Sequence, residues 1–234
     1  MNHRLRSPLP ALLGLAALAL PGTAPAFERP LPDPHPVPPE IRPEAPPAPA
    51  GYVLVEAGLW AQHLDQPESE FQAARAALDR HDLKAAVASV RRAAGYVRAE
   101  GSRADRSARA ALLGAAQALD DLAARLAQGL LPDSGALGPV FANADHLVAG
   151  HRLQLARLAV GDDQFATVGE QLGAAADDAR AELAWSGAGA DPEQDALLRR
   201  VDLVADGLRQ PGSVGDASTD AALDDLGRLL AGPR

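Results

Sequence analysis

The sequence predicts an all-α fold, a duplicated three-helix unit packed as an elongated antiparallel helical bundle and closed by a short C-terminal helix. Three observations carry that expectation. Apolar residues make up 47% of the chain but aromatics only 3%, and alanine dominates. Such a composition suits closely packed helices and is poor in the β-branched and aromatic side chains that sheets lean on. From the seventies onward, apolar positions recur three and four apart, the period of one helix face. Finally, residues 71–100 return at 153–182 with a constant offset of 82: Gln72/Gln154, Arg75/Arg157, Arg98/Arg180 and Glu100/Glu182 match without a gap. Alanine matches such as Ala74/Ala156 and Ala93/Ala175 are cheap in this chain; the polar ones are not.

The first segment reads as an export signal. Arg4 and Arg6 precede a short apolar run at 11–20, and Ala24-Pro25-Ala26 offers small residues for cleavage after Ala26. That run is shorter than the roughly 20 residues needed to span a bilayer. Residues 28–49 then carry ten of the twenty prolines, interleaved with Asp, Glu and Arg. Proline fixes φ and lacks an N–H, so the stretch is expected to be extended polyproline II or disordered. The expected division is a signal peptide at 1–26, a proline-rich segment at 27–52, helical unit 1 at 53–132, helical unit 2 at 133–211, and a closing helix and tail at 212–234.

Within unit 1 a helix is expected from about residue 53 to 80, kinked at Pro67 or starting afresh at Asp65. The second runs from Leu83 to Glu100 with Leu83, Ala86, Val90, Ala93 and Val97 on one stripe, and Gly101-Ser102 is expected to break it. Ser102 or Asp105 can cap the third, roughly 103–129, whose Ala108, Leu112, Ala115, Leu119, Leu122 and Leu126 form a narrow seam. In unit 2, a helix from about 137 to 160 carries Leu137, Phe141, Ala144, Val148, His151, Leu155 and Leu158 on one stripe. The next spans about 163–185, and Asp191-Pro192-Glu193 opens another through Leu197, Val201, Val204 and Leu208. A last helix at 216–230 is expected to have no counterpart in unit 1.

Charge and cysteine content exclude several functions. Without Arg4 and Arg6 the chain has 20 basic and 31 acidic residues, a formal charge of −11, which disfavours nucleic acid and anionic lipid as partners. There is no cysteine, hence no disulfide and no lipid-anchoring thiol. A periplasmic or secreted, soluble protein is expected, with no membrane insertion once the signal is removed.

The chain shows no GxSxG, no phosphate loop and no thiol nucleophile, so no enzyme is expected. Folding each hairpin about its polar turn sets His63 opposite Glu100 and His146 opposite Glu182. Imidazole with carboxylate suits a divalent transition metal, or a histidine oriented for structure. A metal- or haem-binding bundle using His63, Glu100, His146 and Glu182, with His151 in reserve, is the alternative to a protein without cofactor. Arg75, Arg98, Arg157 and Arg180 are expected in ion pairs, and the doublets Asp120-Asp121, Asp162-Asp163, Asp177-Asp178 and Asp224-Asp225 on a solvated acidic face.

The pattern Ala-Arg-Ala-Ala-Leu-Asp-x-x-Asp-Leu-x-x-Ala at 74–86, behind a signal peptide, resembles the YfdX group of exported helical proteins. A period of 82 separates it from tetratricopeptide repeats, whose period is 34. The resemblance implies a periplasmic, stress-associated, non-catalytic helical protein that self-associates, and supplies no functional residues. The expected function is therefore binding or scaffolding, with a second copy or another envelope protein as partner.

Overall fold

The computed structural model describes residues 66–130, 134–187 and 189–232, all within one unit that spans residues 53–234. The expected signal segment, the proline-rich stretch and His63 lie outside the described residues. The described chain is all-helical: α1 (Gln66–Asp79), α2 (Leu83–Arg103), α3 (Arg106–Ala127), a 3-10 turn (Ser134–Leu137), α4 (Gly138–Gly161), α5 (Phe165–Trp185), α6 (Pro192–Leu208) and α7 (Ala217–Leu230). Among the described residues there is no strand, and no helix is long and apolar enough to cross a membrane.

Aspartates start most of these helices by accepting from backbone N–H groups that have no intrahelical partner. Asp82 accepts from Ala85, and Asp105 from Ser107 and Ala108. Asp191 with Gln194 and Asp216 with Thr219 form reciprocal capping boxes. The hairpin turns after α1 and α4 are copies. His81 (φ 59°) and Asp163 (φ 55°) both take the left-handed conformation, 82 residues apart. The Asp82 N–H donates to Ala77 O at 2.8 Å, and the Gln164 N–H to Ala159 O at 2.9 Å.

Gly101-Ser102 does not break α2, which continues to Arg103. The glycine serves another need: a Cβ at Gly101 would stand 3.2 Å from the Leu112 Cβ, so its absence lets α3 close onto α2. The two residues after Gly101 complete the last turn, and Asp105 rather than Ser102 caps α3.

Two apolar cores form. The first gathers Phe71 from α1, Val90 and Val97 from α2, Leu112, Leu119 and Leu126 from α3, and Phe141 and Val148 from α4. Phe71 and Phe141 stack with centroids 4.1 Å apart, and Trp185, from the end of α5, meets Phe141 edge-on at 5.0 Å. The second core gathers Leu153 and Ala156 from α4, Val168 and Leu172 from α5, Leu198 and Val201 from α6, and Leu223 and Leu226 from α7. Thus α4 is one unbroken helix whose first half walls one core and whose second half walls the other.

The buried stripe of α4 departs from the expected one. Leu158, expected on the inner face, is 60% exposed, and Leu155 is only half-buried. Leu153, Ala156 and Ala159 point inward instead: Ala156 and Ala159 continue the face of Phe141, Val148 and Arg152, from which the expected four-and-three spacing drifts until Leu158 stands roughly 100° away. Leu83, expected to head the α2 stripe, is also exposed; it is the first residue of its helix, beside the turn. In α6 the inner positions are Leu198 and Ala205, with Leu197 and Val204 half-buried beside them.

The closing helix turns out to have a counterpart. At offset 82 its Thr219, Leu223 and Leu226, all buried, correspond to Leu137, Phe141 and Ala144 at the head of α4. Each core is therefore built from four helical segments in the same order, the fourth of the first being the beginning of α4 and the fourth of the second being α7.

Candidate functional site

His146 on α4 and Glu182 on α5 meet as folding the hairpin about its turn implies. The imidazole Nδ1 lies 3.0 Å from both carboxylate oxygens. The corresponding expectation for His63 and Glu100 falls outside the described residues. Glu100 instead faces α4, with His151 Nε2 at 3.8 Å and Arg152 Nη2 at 3.9 Å. Arg152 also reaches across to α5, its Nη1 2.8 Å from Asp178 Oδ2. One guanidinium, itself 1% exposed, therefore ties α2, α4 and α5 together where the two cores adjoin.

Sequence reasoning singled out neither Arg152 nor Asp145, and it placed Asp178 on a solvated face. Asp177 is exposed there, bonded to Arg180, but Asp178 is turned inward by the 100° that separates helix neighbours. A signal for the other two existed. Phe141, Asp145, Val148, Arg152, Ala156 and Ala159 are all buried and follow one another at steps of four and three, so two charged residues stood on an apolar stripe.

Asp145 Oδ2 and both His151 ring nitrogens have no hydrogen-bond partner among the described residues. Burial pushes the Asp145 carboxyl up to about 10; Asp178 and Glu68 push the same way, and Arg152 opposes them. Burial likewise holds the His151 imidazole below its ordinary value, against the pull of Glu100. Both groups are thus neutral in the fold at neutral pH. Among the described residues no group of three or more His, Asp or Glu side chains converges as a metal ion would require. His146 and Glu182 supply two ligating groups; a third from the expected set would be His63.

The four repeated arginines divide. Arg98 pairs with Asp120 at 2.5 Å, and Arg180 pairs with Asp202, an identical bond displaced by 82 residues at both ends. Arg157 reaches Asp224 at 3.6 Å and donates to Leu223 O. Arg75 has no carboxylate partner among the described residues; its guanidinium lies 5.6 Å from the centroid of Trp185, over the ring. Its expected ion pair is replaced by this stacking because Glu68, the acid on the same side of α1, accepts from Trp185 Nε1 at 2.8 Å.

The feature best shaped to hold a ligand is a groove of about 660 Å³. Its walls are the start of α4, the end of α5, the start of α6 and the end of α7. Ala142, Leu183, Leu229 and Leu230 make it largely apolar, Asn143 and Gln194 add amides, and among the described residues Glu182 is the one charged lining residue. Its size falls in the range of small-molecule sites, which pair an apolar lining with a few placed polar groups. Glu182 accordingly has two faces, one on His146 and one on the groove.

Compared with protein-family models, with curated proteins and with solved structures, the chain matches none of them.

Proposed function

We propose that this chain is an exported, non-catalytic α-helical binding protein, acting outside the cytoplasm, whose ligand occupies the groove beside Glu182. One observation carries the reading: an apolar groove of about 660 Å³ holds, among the described residues, a single charged lining residue, and that residue is itself oriented by His146. The pattern at the first fifty residues supports export, and the likeness to the YfdX group supports a helical protein that works by association rather than by catalysis. The serine hydroxyls that donate to carboxylates, Ser107 to Asp105 and Ser218 to Asp216, belong to helix N-caps, and the acidic doublets diverge around their helices as the 100° step requires.

The direct test is saturable binding of a neutral, environment-sensitive dye such as Nile red. The parent chain enhances its fluorescence at one site, and Asn143→Trp, a substitution at an exposed lining position, abolishes the signal while the circular dichroism stays helical. A parent chain that leaves the dye unchanged, or a variant that binds as well as the parent, rejects the groove as a ligand site. Export is tested separately: expression from the first methionine should deliver to the periplasm a chain beginning at Phe27.

The metal or haem reading has the His146–Glu182 pair in its favour and needs His63 as a third ligand. An elemental scan and absorption spectrum of the purified chain test it. Stoichiometric metal that disappears in His63→Ala/His146→Ala supports that reading, and metal-free protein indifferent to added Zn²⁺ ends it.

A further inference from the structure

Glu100 and Glu182 are counterparts at offset 82, and the way the first is satisfied shows what the second lacks. Past Val148, α4 continues into the second core and sets the Arg152 guanidinium and the His151 ring against Glu100. The counterpart of Val148 is Leu230, where α7 ends. Among the described residues Glu182 is therefore left with His146 on one side and the groove on the other. In the first half, the group that meets the carboxylate is a cation on a hydrocarbon stem, lying between apolar walls.

We propose that the groove binds a small amphipathic cation, its amine or guanidinium head against Glu182 and its hydrocarbon body along Ala142, Leu183, Leu229 and Leu230. This rests on the reading of the groove as a ligand site. The chemistry favours a cation for two reasons. Among the described residues the groove has no lysine or arginine in its lining, so an anionic head finds no counter-charge there and meets the field of Glu182. A charged head on Glu182 gains a charge-assisted hydrogen bond, roughly twice as strong as a neutral one. The Asn143 amide, exposed on the rim, offers a further acceptor to an N–H head.

The test is titration calorimetry of the full chain at pH 7.5 with octylammonium, octanol and octanoate, each below its aggregation concentration. Octylammonium should bind at one site, octanol at least about tenfold more weakly, and octanoate more weakly still. Glu182→Gln, which keeps an acceptor for His146, should cost octylammonium about tenfold in affinity and leave octanol unchanged. Residue Arg234, outside the described residues, is the register counterpart of Arg152. Removing it by Arg234→Ala should leave octylammonium binding at least as tight, and weaker binding there overturns the proposal. Equal binding of all three ligands, lost together in Asn143→Trp, overturns the cation class but leaves the groove as a ligand site. No binding of any ligand, or binding untouched by Asn143→Trp, overturns both.

Discussion

Glu100 and Glu182 occupy the same register in the two halves of the molecule and have opposite surroundings. The side chain of Glu100 is 6% exposed and faces a buried arginine and histidine, whereas that of Glu182 is 20% exposed and borders a groove. The helices that carry them, α2 and α5, end at corresponding residues, Arg103 and Trp185. What differs is the fourth helix. In the first half it runs on as α4 and seals the carboxylate; in the second it stops as α7 and leaves the carboxylate accessible. A copied carboxylate can thus be sealed in one place and left open to a groove in the other, with the choice made by the neighbour.

The sharpest way to break this contrast is Arg152→Met. It leaves Glu100 and Asp178 buried without their shared guanidinium and should cost about 3–5 kcal/mol in urea denaturation. Glu182→Gln, at the open counterpart, should change stability by less than about 1 kcal/mol. Equal costs would mean that the two carboxylates do not differ in role. Gly169→Ala comes next. Its Cβ would fall 2.5 Å from Ala205 O, so α6 must retreat, at about 1–3 kcal/mol. Its counterpart Val87 carries a whole side chain into the first core, so Val87→Ala should cost only about 1–2 kcal/mol, from lost burial.

Asp145→Asn tests the pH dependence of the buried cluster; its register counterpart in the second half, Gly227, cannot titrate. The Asp145 carboxyl ionises near pH 10 in the fold but near pH 4 in the unfolded chain. A raised acid pKa costs stability progressively as pH rises above the unfolded value, so the asparagine variant should gain stability over the parent steadily from about pH 4 to pH 8 and differ little near pH 4. His151 acts on the other limb: its lowered folded pKa contributes stability that is lost as pH falls below about 6.5. His151→Gln should flatten that limb of a melting-temperature profile. The smallest effects are expected at the matched turns. His81→Gly and Asp163→Gly each relieve a left-handed residue and should stabilise by up to about 1 kcal/mol, equally in both halves.

Much of the fold was legible because the offset of 82 is written in residues that shape the backbone. It fixes the turns at His81 and Asp163 and repeats Arg98 at Arg180, although Asp120 and Asp202 were not singled out as their partners. The seam of α3 was readable because Leu112, Leu119, Leu122 and Leu126 keep one period inside one core. The stripe of α4 was not, since the expected four-and-three spacing drifts by about 20° per heptad from the helical period and so leaves the buried face before this 24-residue helix ends. Of the candidate site, the His146–Glu182 contact follows from hairpin folding alone. Arg152 and Asp178 were hidden because charge in a sequence reads as surface, and only three-dimensional pairing makes burial affordable for them. The groove has no sequence signature at all: it is bounded by helix ends from four segments, and its existence depends on where α7 stops.

A helix of 24 residues, about 36 Å at 1.5 Å per residue, belongs to both interiors at once. Modules joined by a loop can swivel; these two cannot, because any hinge between them would have to break the hydrogen-bonded ladder of α4 at its middle. A disturbance in either interior should therefore register in the other, and amide exchange near Ala149 to Leu153 should be as slow as the slowest in the molecule. The molecule behaves as a beam with two loads rather than as two beads on a string.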